Sequence, residues 1–85
     1  MSGVYHQSFE ALVEDLKKYK SEKVKVALVC ASRTRAKRLA ESFQNEYALN
    51  AFFEEDKRDV DIEPGQIAIF VGKSLFLRRI NGLSY

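Results

Sequence analysis

Between residues 23 and 54 an apolar run, a polar break and an amphipathic stretch follow one another, and this succession constrains the fold more than any other feature. Val24 and Val26 alternate with lysines before the run closes up as Ala27-Leu28-Val29-Cys30-Ala31. A run so rich in branched residues predicts a strand, residues 23–30, covered on both faces as in a parallel sheet. Ser32-Arg33-Thr34 breaks it and opens a helix to about Tyr47. Ala36, Leu39, Ala40, Phe43 and Tyr47 form the buried stripe of that helix, and Lys37, Arg38, Glu41 and Gln44 lie outside it. After a short connection containing Ala48 and Asn50, residues 51–54 read as a second, brief strand. A strand–helix–strand unit of about thirty residues requires parallel strands joined by a right-handed crossover.

The flanks extend this unit. Phe9, Leu12, Val13, Leu16 and Tyr19 recur at the spacing of one helical face, which predicts a helix over residues 9–20 as the first ordered element. Ser8 stands at its cap position, and its charges run from acidic to basic along the dipole. Residues 55–63 read as an acidic surface loop, with room for a turn of helix and only Val60 and Ile62 as apolar anchors. Pro64-Gly65 is a turn signal that delivers a third strand over residues 66–71. Beyond Gly72, the residues Leu75, Phe76, Leu77 and Ile80 suggest a short helical or extended tail on the core, and Asn81-Gly82 a turn. The expected architecture is α–β–α–β–β, a small three-layer α/β sandwich with a mainly parallel sheet and its first strand in the centre.

Eighty-five residues allow one domain, with an ordered core over about residues 8–75. Hydrophobic residues at 46% and charged residues at 31% exclude a disordered composition. Residues 26–31 form the longest apolar stretch, too short to cross a bilayer, and the first residues carry no signal-peptide pattern. A single cysteine, Cys30, excludes an internal disulfide framework, and a single histidine, His6, leaves little for a metal site. A reduced, cytoplasmic chain with no membrane partner is the expectation. Net charge is +2, but unevenly placed. Lys17, Lys18, Lys20, Lys23, Lys25, Arg33, Arg35, Lys37 and Arg38 face only Glu22 within residues 17–38. Glu54, Glu55, Asp56, Asp59, Asp61 and Glu63 then surround Lys57 and Arg58. Such asymmetry marks either a partner surface or two solvated faces.

No catalytic constellation emerges. Gly72-Lys73-Ser74 copies the tail of a phosphate loop, but Ala68 and Ile67 stand where its first glycine would be, so the backbone cradle is missing. His6 has no partner at ligand or acid–base spacing. Cys30, ending a buried strand before a helix, reads as a structural cysteine, with a nucleophile as the alternative. The acidic loop does not match a calcium-binding loop and reads as solvated. No cofactor or metal is expected.

The candidate site is the junction after the first strand. Ser32, Arg33, Thr34, Arg35, Lys37 and Arg38 sit where the strand passes to the helix, at the carboxyl edge at which open α/β sheets bind ligands. A helix N-terminus with hydroxyls and arginines suits a phosphate or nucleic-acid backbone. The alternative is that Ser32 or Thr34 simply caps the helix and the arginines are solvated. Few aromatic residues interleave with these cations, so no base-stacking platform is indicated.

Residues 23–41 resemble the strand and helix that open the second motor lobe of RecA-like helicases, where a loop hydroxyl and basic residues touch the nucleic-acid backbone. The wider order resembles one segment of the bacterial transcription-repair coupling factors (Mfd). Its matching pieces are Tyr5-His6 and Phe9, then Leu12-Val13-Glu14-Asp15-Leu16-Lys17 and Ser32-Arg33-Thr34-Arg35-Ala36-Lys37-Arg38-Leu39-Ala40-Glu41. Leu49-Asn50-Ala51-Phe52, Glu63-Pro64-Gly65 and Ile67-Ala68-Ile69-Phe70 continue the match, which covers residues 5–75. The family's G-F-E-Y-P stretch is replaced here by Phe76-Leu77-Arg78-Arg79-Ile80-Asn81-Gly82.

That resemblance implies a small α/β domain between a UvrB-like N-terminal region and the module that grips RNA polymerase. The parent would be an ATP-driven DNA translocase that displaces stalled RNA polymerase and recruits an excision-repair protein. The expectation for this chain is a non-catalytic interdomain module whose partners are other domains of such a parent. One alternative is a DNA-backbone contact through the junction residues. Another is a small phosphoryl-binding enzyme.

Overall fold

The computed structural model describes residues 2–4, 8–58, 60–72 and 76–80. Seven elements follow in the order β1 (Ser2–Val4), α1 (Phe9–Ser21), β2 (Lys25–Cys30), α2 (Arg33–Tyr47), β3 (Asn50–Phe53), β4 (Gln66–Val71) and β5 (Phe76–Ile80). The expected α–β–α–β–β succession is therefore α1 to β4, continued by β5. The tail is a strand rather than a helix, and β1 precedes the helix expected to come first.

The five strands form one sheet in the order β1-β5-β2-β4-β3. Strand β2 lies at the centre, where its uninterrupted apolar character places it. Parallel pairing joins β2 to β4 and β4 to β3, with Val26 opposite Ile67 and Ala51 opposite Ile67 in turn. On the other side β5 runs antiparallel to both β2 and β1. The sheet is thus mixed, with a parallel half that carries the strand–helix–strand unit.

Alternation along β2 divides the core. Val26, Leu28 and Cys30 face the helices, together with Ile67 and Ile69 of β4, Ala51 of β3, Leu12, Val13 and Leu16 of α1, and Ala36, Ala40 and Phe43 of α2. Ala27 and Val29 face the other way, with Ala68, Phe70 and Ile62, and Phe52 and Val60 pack around them. Both helices therefore cover one face, and Phe9 of α1 stacks on Phe43 of α2 with ring centroids 6.0 Å apart. The layers are thus the two helices, the sheet and, on the other face, the acidic loop.

The connection rules explain why a loop lies there. Strand β2 reaches β3 by passing over β4 on the helix face. The chain then steps back to β4, in the opposite direction, through residues 54–65 on the other face. Reversing both direction and face gives the two crossovers the same hand. The parallel pairing of β3 and β4 requires a long crossover, and the acidic segment supplies it without a helix among its described residues. Ile62, 7% exposed, and the half-buried Val60 anchor it, as their isolation in the loop suggested.

The helix ends are built from short-range chemistry. The hydroxyl oxygens of Ser8 and Ser32 accept from the amides of Ala11 (3.2 Å) and Arg35 (3.1 Å), capping α1 and α2. At the other ends the amide of Val24 donates to Tyr19 carbonyl and that of Leu49 to Phe43 carbonyl, each at 2.9 Å. The Val24 bond is a six-to-one closure, and at α2 the Ala48 amide makes the six-to-one bond to the same Phe43 carbonyl. Closures of this kind put a residue at the helix end in the left-handed region. Glycine is the usual occupant, but here Lys23 (φ 62°) and Ala48 (φ 55°) hold it. Gly65 does serve such a role in the turn before β4, with φ 82° and an ideal Cβ only 3.2 Å from the Lys20 carbonyl oxygen.

Candidate functional site

The junction after β2 is at the carboxyl edge of the parallel half. From there the chain leaving β2 turns to the helix face, and the chain leaving β3 turns to the loop face. Strand β4 lies between these two exits, and the carboxyl edge they share is the one at which open α/β sheets bind ligands. Ser32, Arg33, Thr34, Arg35, Lys37 and Arg38 are all exposed, as a contact surface needs.

Three of the six are engaged within the fold. Ser32 uses its hydroxyl oxygen as the α2 cap. Arg33 Nη1 lies 2.6 Å from Glu55 Oε1, tying the start of α2 to the acidic loop across the diverging chains. Both partners remain more than half exposed, so the pair is screened and contributes less than about 1 kcal/mol. Lys37 places its ammonium 5.6 Å from the Phe53 ring centroid, a cation–π contact from α2 to the end of β3. Thr34 and Arg38 have no hydrogen-bond or ion-pair partner among the described residues, and neither does the Arg35 side chain.

The acidic loop organises itself. Asp56 accepts from Arg58 twice, Oδ1 from Nε at 3.1 Å and Oδ2 from Nη2 at 3.0 Å, and Oδ1 also accepts the Arg58 amide at 2.8 Å. The Arg58 side chain and then its amide hold the Asp56 carboxyl below the usual carboxylate range, and the Arg58 guanidinium is raised in return. Glu54 accepts the Asp56 amide at 3.1 Å. No group of three histidine, cysteine or acidic side chains that could hold a metal occurs among the described residues. Asp59, like His6 and the Lys73-Ser74 pair, lies outside them.

Cys30 is 2% exposed, and burial pushes its thiol above the ordinary value, against a smaller opposing pull from Arg35. Desolvation thus outweighs the nearby guanidinium, which favours a neutral, structural thiol over a nucleophile.

The fold also splits the basic stretch of residues 17–38, which reads as continuous in sequence. Arg33, Arg35, Lys37 and Arg38 belong to α2 at the carboxyl edge. Lys17, Lys20 and Lys23 lie at the opposite edge, just before β2, where they line an open groove with Ser21, Tyr47, Ala48 and Leu49. Lysines three apart near a helix end were the sequence signal for this second cluster. Its closure by residues 47–49 comes from tertiary packing.

The fold and junction define a small mixed α/β sandwich with a basic strand–helix corner. No family model, no curated protein and no solved structure matches the chain. No helix among the described residues is long and apolar enough to cross a membrane.

Proposed function

We infer that this chain is a non-catalytic α/β module that serves a larger cytoplasmic protein by fixing surfaces relative to one another. The reading follows its resemblance to the interdomain segment of the transcription-repair coupling factors, and to the RecA-like strand and helix. One observation carries it: Arg33 and Lys37 tie α2 to the elements beside it, while Ser32 caps the helix itself. A junction built to grip a phosphate backbone would leave those two cations available. Here they join the helix to the acidic loop and to β3.

Exposed Thr34, Arg35 and Arg38 favour the second reading, a direct DNA-backbone contact. Fluorescence anisotropy with short single- and double-stranded DNA, at low and at physiological salt, separates the two. The module reading expects no binding at low salt, and no difference in a variant with Arg33, Arg35, Lys37 and Arg38 changed to Glu. Binding that weakens steeply with salt and vanishes in that variant would overturn it in favour of DNA contact.

A further inference from the structure

The groove at the amino edge of the parallel strands is the part of the surface that neither reading uses. Its accessible volume is about 470 Å³, enough for a phosphate chain and an attached small group. Lys17 and Lys20 reach it from the last turns of α1, Lys23 from the residue that closes α1, and Tyr47, Ala48 and Leu49 form the facing wall.

Lysines near helix carboxyl ends ordinarily offset the helix dipole, and one of these does. Lys20 Nζ donates to Ala48 carbonyl oxygen at 2.6 Å, meeting the exposed end of α2. Lys17 has only a loose pair with Glu14, 3.7 Å away and largely exposed. Lys23 has no side-chain partner among the described residues. Yet Lys23 occupies a left-handed position (φ 62°) where glycine is unstrained and a side chain is not. That conformation is held by the closure of the helix end, with the Lys23 amide donating to Lys20 carbonyl at 3.1 Å and the Val24 amide to Tyr19 carbonyl, and none of these bonds engages the ammonium. The Lys23 side chain therefore adds a third cation to a groove that Lys17 and Lys20 already line.

We propose that Lys17, Lys20 and Lys23 form a binding site for the oligophosphate chain of a small ligand, on the edge of the sheet opposite the strand–helix junction. Three ammonium groups from one short segment match a chain carrying several negative charges better than a single carboxylate. Their point-charge character suits phosphate oxygens without fixed geometry. The groove holds no basic continuation toward α2, whose cations lie at the other edge, so a compact anion fits it better than a nucleic-acid strand.

Amide chemical-shift titration of the whole chain tests this at low salt, with inorganic tripolyphosphate, ADP and adenosine as probes. Tripolyphosphate is expected to shift the amides of residues 17–24 and 47–49 saturably, and added salt to reverse the effect. ADP acting like tripolyphosphate, with adenosine silent, assigns recognition to the phosphate chain. Adenosine acting alone would overturn it, as would shifts centred on residues 33–38, or a response to DNA with none to tripolyphosphate. Lys23→Gly gives a second arm. It is expected to raise the thermal midpoint by relieving the backbone while weakening tripolyphosphate about tenfold, the loss of roughly one charged contact. Lys17→Gln, at an exposed position, should weaken binding without moving the midpoint. Unchanged affinity in both variants would show that the lysines only balance the helix ends.

Discussion

At the scale of single residues, stability turns on where the backbone or the packing leaves no freedom. Gly72 closes the parallel half: its amide donates to Cys30 carbonyl at 2.7 Å, and an added Cβ would stand 2.4 Å from Val29 Cγ1. Val29 is a buried, β-branched residue that cannot swing away, so Gly72→Ala should destabilise by about 1–3 kcal/mol in urea unfolding. Ala48 presents the opposite case. Its φ of 55° favours glycine, and Ala48→Gly should stabilise by about 0.5–1 kcal/mol, the strain relieved less the added entropy of the unfolded chain. Cys30 supplies a pH dependence. Its thiol value is raised in the fold, so native packing favours the neutral form. That contribution is complete below the unfolded thiol's pKa and is lost as pH rises through the folded value. Alkaline unfolding should therefore lose part of its pH slope in Cys30→Ala, and Cys30 should resist thiol reagents until the chain unfolds.

At the scale of elements, what was legible in the sequence is what local chemistry determines. Ser8 and Ser32 announce α1 and α2, and both act as the caps they resemble. Ser32→Ala should cost about 1 kcal/mol in thermal or urea unfolding, because it removes the acceptor for the Arg35 amide. Ser32 is also one of the six junction residues of the DNA-contact reading, so a loss of stability with no DNA present measures its capping role separately from any contact role. Strands β2 and β4 were legible because burial on both faces leaves a continuous branched run. Strand β5 was not, since Phe76-Leu77-Arg78-Arg79-Ile80 neither alternates nor runs apolar, and only its antiparallel register on β2 makes it a strand. Three-residue β1 is shorter still, defined by its pairing with β5 alone. The edge strand β3 shows a further contact invisible in sequence: the Gln44 amide donates to Ala51 carbonyl, which covers part of an otherwise open edge.

At the scale of the whole molecule, the acidic segment is the element whose role differs most from its appearance. Its composition reads as solvated loop, and among its described residues Lys57, Asp61 and Glu63 are exposed, Asp56 pairs with Arg58 and Glu55 with Arg33. Its position as the crossover between parallel neighbours makes it the cover of one sheet face, which no property of residues 54–65 taken alone reveals. Two kinds of anchor hold it, and their magnitudes rank them. The Arg33–Glu55 pair is short but more than half exposed on both sides, whereas Ile62 is buried against Ala27, Val29, Ala68 and Phe70. Screening limits the first to less than about 1 kcal/mol, while emptying the second leaves a cavity worth about 2 kcal/mol or more. Ile62→Ala should therefore lower the urea midpoint clearly, and Arg33→Ala only slightly. Hydrogen exchange gives the same ranking locally: amides of β4, whose Ala68 and Phe70 lie beneath the loop, should lose protection in Ile62→Ala and keep it in Arg33→Ala. Equal and small effects from both substitutions would mean the loop rests on the sheet without closing its core. A dominant effect of Arg33→Ala would make the strand–helix junction, rather than the apolar anchor, the element that holds the loop face shut.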